Sequence, residues 1–541
     1  MTRLVLLATL GAALCLHAQQ PTSGKRYRIA GTVTNSATGE PLAGTTLLLA
    51  SAATRHSLQT TVTDSQGHFD LEPVPAGKYT LTGSRRGFRT ANFDEHETYS
   101  SAIVTGEGQD TGHIPFKLDA NAIVRGFVTD DLGEPIAGAK VTLARQSKDD
   151  GLGDRLVEEI SGMTDDEGLF EYWGMEPGTY FLAAQADPWF ALHGSLADRD
   201  RAEADLRADR AALDLAYPLC FYAGTSEEAA ATPIKIAGGN RIQADLRMHT
   251  VPALHLRIRS PHKKAGKDDE FLMPTLRQTI LGQAVPLNAE QEIGSPDITE
   301  YAGIAPGHYT IVGADPPRLL DVDLNGDQDI DLSTGTPAFD VGLKLHMIDG
   351  SPVPETVQLS LVSNDATRQK LTEGEPAESG DLRFEAVPPG RWTVMAESPR
   401  APVAVVSILL AGASASGPVI TVKDRAVTAT AIIAQPKSHI EGFVTKDGKG
   451  EPGVMVVLVP ADPVSGVALF RRDQSDSDGS FDLLNVIPGT YRIVAIENGW
   501  DLDWARPEVI AHYLPNATPV TVTSKSPEAI QLSAKVAVQP R

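Results

Sequence analysis

Short apolar runs and tight polar turns follow one another along most of the chain, and within the runs the alternation has a period of two rather than 3.6. Thr45 to Leu49, Ala139 to Leu143 and Val454 to Val459 are strand-sized and rich in β-branched and apolar side chains. Glycine and proline sit between such runs at ordered positions, where they reverse the chain. One segment departs from this pattern. In Leu196 to Leu213, Ala202, Leu206 and Leu213 fall on one face among many charges, which predicts a short amphipathic helix.

The turns recur in a fixed order. The first copy reads Gly31-Thr32-Val33, Gly39-Glu40-Pro41, Asp64-Ser65-Gln66-Gly67-His68-Phe69 and Pro75-Ala76-Gly77-Lys78-Tyr79. A second copy has Gly126-Phe127-Val128, Gly133-Glu134-Pro135, Asp165 to Phe170 and Pro177-Gly178-Thr179-Tyr180. The last has Gly442-Phe443-Val444, Gly450-Glu451-Pro452, Asp476 to Phe481 and Pro488-Gly489-Thr490-Tyr491. Two degenerate copies keep Pro306-Gly307-His308-Tyr309 and Pro389-Gly390-Arg391-Trp392. The Pro-Gly signals stand roughly 100 residues apart, the size of a sandwich domain and too long for a solenoid repeat.

The predicted fold is therefore all-β, a tandem array of about five Ig-like or prealbumin-like β-sandwich domains with one short helical insertion. The expected units are 25–119, 120–248 with the helix near 196–213, a degenerate 249–335, then 336–435 and 436–541. Each unit is expected to end in a polar hairpin joining two alternating strands, as in Leu319 to Leu332. Short linkers between units predict a stiff rod.

The N-terminus changes the setting. Arg3, the apolar run Leu4 to Leu16, and Ala18 before a polar stretch form the layout of a signal peptide, with residues 1–18 removed. No later run is long enough for a membrane helix, so the expected location is extracellular, periplasmic or at the cell surface, with no transmembrane segment after cleavage. The formal charge of −23 argues against nucleic acid as a partner. Of two cysteines, Cys15 leaves with the leader and Cys220 remains, so each unit must be held by its own core.

Candidate chemistry is sparse. Asp321, Asp323, Asn325, Asp327 and Asp329 occupy the alternate positions of a calcium loop, with Gly326 at its glycine. Leu332 stands where the bidentate Glu belongs, and the alternating apolar residues around it fit a hairpin turning at Asn325-Gly326. The favoured reading is that hairpin; weak Ca2+ binding is the alternative, and no other cofactor is expected. Trp189, Phe190 and Tyr222 in the second unit and Trp500 and Trp504 in the fifth form aromatic clusters. They either present flat faces to a sugar or cap the end of a core. Scattered histidines, and the absence of zinc, nucleophile-elbow or phosphate-loop motifs, give no catalytic residue to nominate and predict no enzyme.

The ordered motifs from Gly31 to Tyr79, Gly126 to Tyr180 and Gly442 to Tyr491 resemble the carboxypeptidase regulatory-like family, whose sandwich is similar to prealbumin, to starch-binding-like folds and to collagen-adhesin B-type repeats. That resemblance implies a non-catalytic module and, through the starch-binding-like members, carbohydrate binding. Adhesin-type repeats also imply a Lys-to-Asn crosslink, for which Lys446 has no matching Asn in the last strands. The function expected is a secreted or cell-envelope binding protein with polysaccharide or an envelope protein as partner. The alternatives are a structural spacer or assembly partner, or a non-catalytic subunit of a peptidase or glycosidase.

Overall fold

A computed structural model of the protein describes residues 25–147, 155–193, 212–260, 273–287, 290–295, 298–314, 317–354, 356–363, 370–372, 382–399, 402–410, 417–463, 466–523 and 525–541. The expected signal peptide lies outside the described residues, as does all but the end of the expected helix at 196–213. The architecture is all-β.

Five times, a first strand pairs antiparallel with the strand that follows the Asp-Gly turn or its degenerate counterpart, and parallel with a strand from the end of the unit. The first strands are Arg26–Asn35, Ala122–Thr129, Leu254–Arg259, Phe339–Met347 and Ser438–Lys446. Their parallel partners are Ile114–Leu118, Arg241–Gln243 with Leu246–Arg247, Gln328–Asp331, Val427–Ala434, and Ala529–Gln531 with Val536–Gln539. The facing sheet is built on the Pro-Gly strand. In the first unit Gly77–Ser84 pairs with Thr46–Ser51, which pairs with Ser57–Val62. Alternating side chains from the two sheets interlock, with Ile29, Leu47, Phe69, Leu81 and Phe116 at the centre of the first core.

This topology corrects the hairpin expectation. Pro317–Leu324 pairs with Gly307–Ala314, whereas Gln328–Asp331 pairs with Leu254–Arg259 in the opposite sheet. Asn325-Gly326 is therefore a corner between sheets. Alternation shows that both segments are strands with one buried face; it does not choose their partners, and closing a sandwich requires one strand in each layer.

In the fifth unit the strand Met455–Pro460 is buried along its whole length. One face meets the sandwich core, and the other is covered by Trp504, Ala505, Ile510 and Tyr513 from the segment after the Pro-Gly strand. An outer sheet face is also sealed in the second unit, where Ala144, Ala183 and Phe221 pack against Ile280 and Leu281 of the third.

Successive units touch directly. Arg89 bridges Glu95 and Glu176, the Leu281 amide donates to Glu228 at 2.9 Å, and Ala404 and Ala434 pack against Ile487. The third unit meets the fourth where Leu382–Val387 lies beside Gly307–Ala314 and Pro317–Leu324. The fifth unit then returns to the first, so the array closes on itself and the expected rod is corrected to a ring. Short linkers limit the freedom at each joint but do not force the joints to be straight.

Candidate functional site at the junction of the first and fifth modules

The closure is built from a turn whose acid, in the first and second modules, binds its own backbone. In the first module Asp64 Oδ1 accepts from the amides of His68 and Gln66, each at 2.8 Å, and those donors hold its carboxyl below the ordinary carboxylate range. Asp165 binds its own turn in the same way. In the fifth module Asp478 takes over this work, accepting from the Ser480 amide at 2.9 Å. Asp476 is thereby free to reach across: Oδ1 accepts from the Ala102 amide and Oδ2 from Lys78 Nζ, both at 2.8 Å. Ser477 Oγ accepts from the Val104 amide at 2.8 Å, and the Ser477 amide donates to the Ala102 carbonyl at 3.0 Å.

Arg472 stands at the centre. Its side chain is 3% exposed, pairs with Glu97 of the first module at 2.6 Å, and is enclosed by the rings of Trp504 at 4.4 Å, Tyr99 at 5.0 Å and Trp500 at 5.9 Å. A guanidinium desolvated against aromatic faces gains more from them than an exposed one. Trp500 lies flat on His96, centroids 5.1 Å apart and planes 9° from parallel, and its Nε1 donates to the Gly453 carbonyl at 3.2 Å. Gln474 completes the contact by donating to Ser101 Oγ at 2.9 Å and to the Asp94 carboxylate at 3.1 Å.

Burial dominates the electrostatics here. It pushes the Asp473 carboxyl up to about 7 and raises Asp476 and Asp482 in the same direction. Burial pulls Lys78 down, but the facing carboxylates, Asp476 first and then Asp478 and Asp473, together more than offset it, so its ammonium is held above the ordinary lysine value. Beside this contact a cavity of about 490 Å³ opens, walled by Tyr99 of the first module, Met395 and Val403 of the fourth, and Phe470, Arg472, Asp482 and Trp504 of the fifth.

The aromatic residues singled out in the sequence are divided by the structure. Trp500 and Trp504 come together around Arg472, one ring covered by His96 and the other buried, so both belong to the closure and the fifth module's outer face. Tyr222 packs, half-buried, against the second core. Trp189 is 94% exposed, with Phe190 edge-on to it at 5.6 Å. Cys220 is buried, and burial pushes its thiol up to about 11.

The acidic segment does not converge. Asp321 and Asp323 face out from one sheet, bound to Thr310 at 2.7 Å and His308 at 2.8 Å. Asp327 accepts from the His255 amide at 2.9 Å, and Asp329 lies on the strand in the opposite sheet, with Asn325 exposed at the corner. Among the described residues the one grouping of three metal-competent side chains is instead His439, Glu441 and Asp482.

Sequence reasoning missed the closure pairs because they are separated by some 375 residues. It also missed a buried chain between the second and third modules, in which Asp214 joins His193 at 2.9 Å to His255 at 2.8 Å. No local signal announced the closure, since the second acid of Asp476-Ser477-Asp478 has a counterpart in Asp165-Asp166-Glu167, where Asp165 still caps its own turn.

Residues 28–115 match the carboxypeptidase regulatory-like domain. Among solved structures, a streptococcal ancillary pilin is 13% identical over 53% of this chain and 100% of its own, with a TM-score of 0.20. The minor pilin GBS52 of Streptococcus agalactiae is 12% identical over 42% of this chain and 97% of its own, with a TM-score of 0.21. The Bacillus anthracis TIE protein is 9% identical over 77% of this chain and 76% of its own, with a TM-score of 0.18. No curated protein matches the chain. The first module is thus of the carboxypeptidase regulatory-like type, set in an all-β array in which no helix among the described residues is long and apolar enough to cross a membrane.

Proposed function

We propose that the chain is an exported, non-catalytic binding protein of the cell envelope or its exterior, whose ligand is a polysaccharide met at the Trp189-Phe190 platform. The observation that carries this reading is the exposure of Trp189, 94% open beside an edge-on Phe190, while the other aromatic residues named with it are at least half-buried or enclosed. The exposed Trp189 ring, with Phe190 set against its edge, offers an apolar face that the axial C–H face of a sugar is suited to cover. The signal-like leader supports an exported location. Isothermal titration against soluble envelope polysaccharides tests the reading. Saturable binding is expected, and Trp189→Ala should weaken it at least tenfold, about 1.4 kcal/mol. Equal binding by wild type and variant would exclude the platform.

A second reading, that of an assembly or spacing element, is favoured by the closure itself, where a buried arginine and a docked turn fix the ends of the array. Recovery of a defined envelope protein by crosslinking, with no polysaccharide binding in the titration, would select it.

A further inference from the structure

We propose that His439, Glu441 and Asp482 form a binding site for a first-row divalent cation, zinc above all, on the outer face of the fifth module beside the closure. The topology places them. His439 and Glu441 are two residues apart on Ser438–Lys446 and so share a face, and Glu441 stands directly opposite Asp482 in the antiparallel pairing with Ser480–Val486. One ligand atom from each lies within 4.8 Å of the other two, and His439 Nε2 is 2.9 Å from Glu441 Oε1. One imidazole and two carboxylates make a nitrogen and oxygen donor set of the kind that zinc takes and that calcium, which prefers oxygen alone, does not.

Two further observations point to a cation. Like charges directly opposite in a sheet repel, and here Glu441 faces Asp482 with Asp473, Asp476 and Asp478 close by on the same module. Lys78, which bears on this face, is already bound to Asp476 and Ser480 at 2.8 Å each. Separately, Asp482 Oδ1 is buried with no hydrogen-bond partner, which is costly for a carboxylate oxygen and would be relieved by a cation bound to it. Gln531 donates to the other oxygen of Glu441 and orients it, as outer partners of metal ligands do. No ion needs to reach the cavity for this arrangement to work, although Asp482 contributes to its wall as well.

Zinc chloride titrated into the full chain, stripped of metal by chelator, should show one saturable event per chain and raise the calorimetric melting midpoint, because a ligand of the folded state stabilises it. His439→Ala and Asp482→Asn should each weaken binding at least tenfold and remove the shift. Glu441→Gln, which keeps the side-chain shape and its contact with Gln531, should do the same without disturbing the fold. Replacing His249, of the exposed pair with Asp131, should change nothing. Unaltered zinc binding in the three variants, or its loss in Asp323→Asn instead, would overturn the assignment, as would calcium binding at this face without zinc binding.

Discussion

At the residue scale the most informative position is the aromatic that closes each Pro-Gly motif. Tyr79, Tyr180, Tyr309 and Tyr491 each donate their hydroxyl to the carbonyl four residues earlier, at 3.0, 2.9, 2.8 and 2.7 Å, and the Trp392 indole does the same at 3.1 Å. The bond folds the ring back over the intervening glycine. At Gly489 an added Cβ would stand 2.9 Å from the Tyr491 ring. Proline, glycine and aromatic are thus one device, a buried ring that ties the turn to the strand it starts, and this explains why the motif survives in the two modules that have lost the rest of the signature. Tyr180→Phe, which leaves the ring in place and orphans the Glu176 carbonyl, should cost about 1 kcal/mol. Gly489→Ala should cost ~1–3 kcal/mol by overpacking. Thermal unfolding of the full chain with near-ultraviolet detection checks both, and a Gly489→Ala midpoint equal to wild type would refute the packing account. This level was legible in the sequence because the device is local. The acidic run from Asp321 was misleading for the same reason: its spacing is local, but the sheets carry its carboxylates apart.

At the scale of elements, what the sequence displayed was which segments are strands and which face is buried, as in Tyr79-Thr80-Leu81, where Tyr79 and Leu81 enter the core and Thr80 does not. What it withheld was pairing. Gln328–Asp331 and Pro317–Leu324 read as one hairpin and fold into opposite layers, since a period of two is silent about neighbours. The short strand Arg471–Gln474 shows how much such silence conceals, because it carries the closure. Its Asp473 accepts from the Asp482 amide at 2.6 Å, and burial raises its carboxyl to about 7. The folded state therefore holds a proton that the unfolded chain releases near pH 4. The stability contributed is present at low pH and is lost as pH climbs from about 4 to about 7, with Asp476 and Asp482, also raised by burial, acting in the same sense. Asp473→Asn keeps the acceptor and removes the charge. Calorimetry should show that the wild-type midpoint for this module falls between pH 5 and pH 8, and that the variant falls less and lies above wild type at pH 8. An identical pH dependence in the two proteins would refute the role given to Asp473.

At the scale of the whole molecule, the short linkers suggested a rod, and the ring follows from contacts that no local pattern announces. Lys78, His96, Glu97 and Tyr99 lie in the first module; Arg472, Gln474, Asp476 and Trp500 lie in the fifth. They meet in one place, with a positive side chain on each side facing an acid on the other. Such reciprocal pairing specifies the closure more than it stabilises it, because each buried ion also loses its hydration. The aromatic enclosure of Arg472 and the docked turn at Ser477 supply the rest. Removing one partner of the most buried pair leaves the other uncompensated, so Glu97→Ala should weaken the closure by ~2–5 kcal/mol. Combined with Lys78→Ala it should release the fifth module from the first while both sandwiches, whose cores do not include these residues, remain folded. Small-angle X-ray scattering would then show a longer maximum dimension and a larger radius of gyration for the double variant than for wild type, with unchanged far-ultraviolet circular dichroism. High salt should move wild type little, since Arg472 is screened by protein rather than by water. A double variant with the wild-type scattering profile would mean that the joints between successive modules hold the ring by themselves, and that the closure pairs follow from the curvature instead of fixing it.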